Sequence, residues 1–143
     1  AQEGKWTAAE PQDQVVGTST QAVAKTLEID GTTIEYYRSV TVWATSYSPC
    51  QQGLPRCTTA TATGIPLAKG VVGVRGSWLR LFAGQQLYIP GYGIGVMADT
   101  GGGVPGTYWI DLGYSEEDYV AWHQYVTIYF LTPIPPNVPA ILP

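Results

Sequence analysis

The chain has 143 residues, 45% of them apolar, enough for one domain with its own core. Its 17 Gly and 11 Pro exclude a helical bundle, and 13% charged residues beside 12% aromatics exclude disorder. A net charge of −4 gives no general attraction for nucleic acid or anionic lipid.

Residues 1–24 are polar and weakly periodic, and read as an arm or the tail of a neighbouring module. Lys25 to Tyr37 reads as a hairpin, because Asp30-Gly31 can supply the positive φ angles of a two-residue turn. Val40 to Ser46 alternates apolar and polar residues with the period of a half-buried strand. Cys50 and Cys57 then enclose a short polar segment. A disulfide there would stabilise by ~2 kcal/mol and would place the protein in an oxidising, extracellular compartment. The alternative is a pair of buried free thiols. A metal site is disfavoured, since the single histidine, His123, lies far along the chain.

Thr58 to Gly64 is expected to be irregular. Further strands are predicted at Gly70–Arg75, Gln86–Pro90, Gly93–Ala98 and Tyr108–Leu112. Ser115 followed by Glu116, Glu117 and Asp118 predicts a helix start, a capping hydroxyl ahead of acids at the positive end of the helix dipole. Tyr125 to Leu131 is rich in β-branched and aromatic residues and reads as a strand. Thr132 to Pro143 holds five prolines and is expected to be an extended tail.

The result is a mainly β fold, six strands closed into a barrel with one short helix. Its expected division is an arm and hairpin over 1–38, a barrel domain over 39–132 and a Pro-rich tail over 133–143. No run reaches the roughly 20 apolar residues that span a bilayer. Ala1 opens the chain with no basic stretch leading into an apolar one, as expected of a mature chain.

The acids narrow the chemistry. None lies between Glu35 and Asp99, and after Asp99 come only Asp111, Glu116, Glu117 and Asp118. The last three suit a helix start. Asp99 opens the glycine-rich turn Asp99-Thr100-Gly101-Gly102-Gly103, where a ligand can approach the carboxylate closely. Asp111 sits between Ile110 and Leu112 inside a strand, where Asp is depleted. A partly desolvated carboxyl beside a second one has a raised pKa, as a general acid near neutral pH requires. The plain alternative is that Asp99 caps its own turn and Asp111 is solvated.

Six stretches add to this. They are Trp43-Ala44-Thr45-Ser46-Tyr47-Ser48-Pro49, Thr61-Ala62-Thr63-Gly64, Gly70-Val71-Val72-Gly73-Val74, Leu87-Tyr88-Ile89-Pro90-Gly91-Tyr92-Gly93, Asp99-Thr100-Gly101-Gly102 and Ile110-Asp111-Leu112. In this order they resemble the three-aspartate (3D) domain of bacterial cell-wall proteins, which is related to the barrel of the membrane-bound lytic transglycosylase A family. Residues 10–20 resemble the end of a cell-wall adhesion module with five characteristic glycines.

The resemblance implies a double-psi β-barrel that cleaves peptidoglycan glycan strands outside the bacterial cell, at the wall, with no metal or organic cofactor. It gives Asp99 the place of the catalytic acid and Asp111 that of its supporting carboxylate. The acid would protonate the oxygen between N-acetylmuramic acid and N-acetylglucosamine. The muramic 6-hydroxyl would then attack C1, leaving a 1,6-anhydro sugar. Thr63, Lys69, Thr100, Gly101 and Gly102 fall in matching stretches and are expected to meet the substrate. Tyr47, Tyr92 and Trp109 would either stack on sugar rings or belong to the core, and His123 reads as structural. Val74-Arg75-Gly76 stands where the family carries its first aspartate, so two of three acids are present. That departure favours the alternative of a non-catalytic glycan-binding module on the same barrel. Asp-Thr-Gly also marks aspartic proteases, but those carry Ser or Thr where this chain has Gly102.

Overall fold

The computed structural model describes residues 22–143. Most of the arm expected over residues 1–24, and the adhesion-module resemblance over 10–20, lie outside the described residues. Strand β1 (Lys25–Ile29) folds back on β2 (Thr32–Tyr47) through Asp30 at φ 48° and Gly31 at φ 80°, the left-handed pair that a tight hairpin needs. The second hairpin strand and the next expected strand are one element of 16 residues. Where β2 meets β7 (His123–Leu131), Tyr36 pairs with Leu131 and Arg38 with Phe130, so Tyr37 is an extra residue. This bulge turns two successive side chains, Tyr37 and Arg38, into the protein.

Five further elements follow β2: β3 (Val71–Val74), α1 (Gly76–Phe82), β4 (Gln86–Ile89), β5 (Gly93–Thr100) and β6 (Trp109–Gly113), before β7. The strand order β2-β6-β3-β5-β4-β7 returns to β2 through the β2–β7 pairing. The result is a closed six-stranded mixed barrel with β1 appended, in agreement with the expected fold class. β2 runs parallel to β6 and β3 parallel to β5, and the remaining barrel pairs are antiparallel. Alternation sends Val40, Val42, Ala44, Val72, Val74 and Ile110 into the interior. Trp43, Thr45, Gly73 and Asp111 are therefore left on the outer face.

Among the described residues, the one helix is not where the capping signal put it. Ser115 donates from both its N–H and its hydroxyl to Asp118 Oδ1, each at 2.8 Å, closing a turn over 116–118. Glu116 is drawn away to the disulfide loop, where it accepts the Cys50 N–H at 2.8 Å. The helix is α1, which begins after Arg75 with no side-chain cap. Burial of Trp78 and Phe82 holds it against the barrel instead.

Cys50 and Cys57 form a disulfide. The proline-rich C-terminal segment has no regular structure, yet it is docked. Val138 and Leu142 enter the core, and the carbonyls of Leu142 and Pro143 accept hydrogen bonds from Tyr108 (2.8 Å) and Trp78 (3.0 Å). Among the described residues, no helix is long and apolar enough to cross a membrane.

Candidate carboxylate site

Strand β3 separates the two aspartates. Gly73 pairs with Asp99 on its β5 side and with Asp111 on its β6 side. The first pairing depends on a register shift, since Val72 pairs with Met97 and Gly73 with Asp99, leaving Ala98 as the extra residue. That bulge sets the Asp99 carboxyl beside Gly73 on the outer face.

Each carboxyl has its own set of donors. Asp99 Oδ2 accepts the Tyr47 hydroxyl at 2.6 Å, while Oδ1 accepts the N–H groups of Ala62 (2.8 Å) and Thr100 (2.9 Å). Asp111 Oδ1 accepts the Thr45 hydroxyl at 2.8 Å, and Thr45 in turn accepts the Trp109 indole N–H at 3.0 Å. A methyl group on Gly73 would lie 3.5 Å from Asp111 Cβ and 3.6 Å from the Tyr47 hydroxyl oxygen. Asp111, the bare Gly73 and the Tyr47–Asp99 pair thus form one continuous polar patch.

Burial pushes the Asp111 carboxyl up to about 6, and the charge of Asp99 adds to this while the Thr45 hydrogen bond opposes it. Burial, reinforced by the bond to Asp99, drives the Tyr47 phenol far above its ordinary range. Tyr47 is therefore a permanent neutral donor at physiological pH. Among the described residues, no three His, Cys, Asp or Glu side chains group closely enough to hold a metal ion.

The other expected site residues fall into three groups. Thr63, Thr100, Gly101 and Gly102 border Asp99. The Thr63 hydroxyl donates to the Ala98 carbonyl at 2.7 Å, and the Gly101 N–H donates to Val74 at 3.2 Å. Tyr47, Tyr92 and Trp109 are only 6%, 4% and 7% exposed. The Tyr92 hydroxyl accepts from the Gly70 N–H and donates to the Gly113 carbonyl, both at 2.6 Å. The Trp109 ring lies under the glycine turn, where a Cβ on Gly101 would sit 2.9 Å from it and one on Gly103 at 3.0 Å. Lys69 stands apart, its Nζ 5.5 Å from the centre of the Tyr92 ring.

No family model, curated protein or solved structure matches this chain.

Two members of the patch are not among the residues singled out from sequence. Thr45 has a usable signal, because period-two alternation places it on one face with Trp43 and Tyr47. Gly73 has only its place inside a valine run. Arg75, standing where the resemblance expects an acid, donates to the Thr107 carbonyl and lies 5.8 Å from the centre of the Tyr108 ring.

Proposed function

We propose that the barrel is an extracellular, cell-wall enzyme that cleaves peptidoglycan as a lytic transglycosylase, with Asp99 and Asp111 sharing the acid–base work. The observation that supports this reading is the strand register that pairs both aspartates with the side-chain-free Gly73. Burial holds the proton on Asp111, and the neighbouring Asp99 charge works in the same direction. Asp99 borders the glycine turn and is the member that touches the glycosidic oxygen. Protonated, the pair donates to that oxygen as the bond to C1 of N-acetylmuramic acid breaks and positive charge grows on the ring. Ionised, it takes the proton of the muramic 6-hydroxyl as that oxygen closes on C1. The reaction consumes no water and needs no enzyme nucleophile, so one bound proton suffices.

A second reading is a glycan-binding module without catalysis. It is favoured by Arg75, whose guanidinium is tied to Thr107 and Tyr108 where a third acid is expected. Incubating purified walls with wild-type and Asp99→Asn protein, followed by mass spectrometry of the soluble products, separates the two. Anhydromuropeptides from the wild type alone support cleavage. Sugars with ordinary reducing ends, or no release at all, defeat it.

A further inference from the structure

On the outer face of the barrel, strand register extends the carboxylate patch sideways into a row of aromatic rings. Asp111 pairs with Thr45 and Thr45 with His123; one step along, Trp109 pairs with Trp43 and Trp43 with Tyr125. Trp43 is clamped edge-on between His123, at 5.0 Å between ring centres, and Tyr125, at 4.8 Å. Tyr125 is nevertheless 49% exposed, and His123 is exposed beside it. Of the two roles left open from sequence for Tyr47, Tyr92 and Trp109, their burial favours the core, so any stacking must come from elsewhere.

We infer that Trp43, His123 and Tyr125 form a stacking platform for a pyranose ring of the glycan strand, a binding subsite continuous with the Asp99–Asp111 patch. The inference rests on the proposed reading of that patch as a glycan site. Sugar rings carry apolar C–H faces and a polar rim, and the platform matches both. Its rings offer π faces and edges already fixed by mutual contact, so little side-chain freedom is lost on binding. The Thr45 hydroxyl and the His123 imidazole lie in the row that leads to Asp111. Strand spacing puts Tyr125 about 10–12 Å from Asp111, the reach of a disaccharide. A protein partner would find too little here, since Tyr125 is the one large apolar side chain exposed in this row.

The test is binding of chitotetraose and of peptide-free glycan strands, followed by indole and imidazole NMR shifts, beside a separate cleavage assay. We expect Tyr125→Ala to weaken binding about five- to tenfold and Tyr125→Phe to leave it intact, with Tyr125→Phe melting as the wild type does and Tyr125→Ala lower by a few degrees through loss of the ring contact with Trp43. Equal binding by wild type and Tyr125→Ala, or no binding by the wild type, overturns the platform. Binding that depends on Tyr125 with no anhydro product from the wild type keeps the platform and removes the catalytic reading instead.

Discussion

Asp99 and Asp111 are in register with the same residue, Gly73, one through a parallel pairing and the other through an antiparallel one. Only the middle strand of a mixed sheet can bring two carboxyls to one gap in this way. Because that strand contributes a hydrogen there, the gap stays open.

Filling the gap tests its use. Gly73 has an ordinary φ, and an added methyl would meet its neighbours at 3.5–3.8 Å, normal contact distances. Gly73→Ala should therefore fold and melt within a few degrees of the wild type. With a methyl between Asp111 and the Tyr47 hydroxyl, anhydro-product release should fall about tenfold or more. Full activity in this variant would show that substrate does not use the space between the carboxyls.

The raised Asp111 carboxyl has a signature in stability. Its folded value of about 6 lies above the ordinary 3.8, so between those values the native state binds more protons than the unfolded chain. Stability should then fall as pH rises from about 4 to 6, by up to about 3 kcal/mol. Above pH 6 the penalty is complete and the curve flattens. Asp111→Asn should remove this slope, which urea unfolding across pH 4–7 of both proteins measures. Activity that needs the Asp111 proton should decline later, as pH rises through about 6.

Much of this site was legible because its parts obey short-range rules. Asp30-Gly31 can only turn, Val40 to Ser46 can only alternate, and an acid between Ile110 and Leu112 calls for a reason. Three features were not legible. The Ala98 bulge that swings Asp99 to Gly73 depends on pairing with a distant strand. The helix Gly76–Phe82 has no cap and is held by burial of Trp78 and Phe82, while the well-capped Ser115 closes a turn whose Glu116 bonds the Cys50 loop. Docking of the proline-rich segment depends on Arg38, 101 positions from its Pro139 partner.

Tyr47 should separate catalysis from folding less cleanly. Tyr47→Phe keeps the buried ring and deletes the 2.6 Å hydrogen bond to Asp99. Hydrogen bonds to charged groups contribute about 1.5–3 kcal/mol, and a comparable loss in the transition state slows reaction roughly ten- to a hundredfold. Product release and thermal melting should both drop. A fall in melting temperature with unchanged product release would leave Tyr47 a purely structural support.

The glycine turn offers a paired control. A Cβ on Gly101 would lie 2.9 Å from the Trp109 ring, whose indole N–H is tied to Thr45, whereas one on Gly102 meets nothing within 4 Å. Gly101→Ala should cost about 1–3 kcal/mol through this overpacking and alter tryptophan fluorescence. Gly102→Ala should be neutral in both measurements.

Arg38 makes the sharpest stability prediction. Only 2% exposed, it donates through Nη1 to the Pro139 carbonyl at 2.7 Å and through Nη2 to the Ala140 carbonyl. Arg38→Ala removes both bonds and leaves the two carbonyls short of partners, so urea unfolding should show a loss of about 3 kcal/mol. Lysine is a single point donor and cannot reproduce the two-pronged fork, so Arg38→Lys should fall between. Leu142→Ala frees the same segment from the other end, at a cost of about 2–5 kcal/mol. Because either change alone loosens the whole strap, the double variant should lose less than the sum of the two. Strict additivity would mean that residues 138–143 are held by independent contacts rather than as one docked unit.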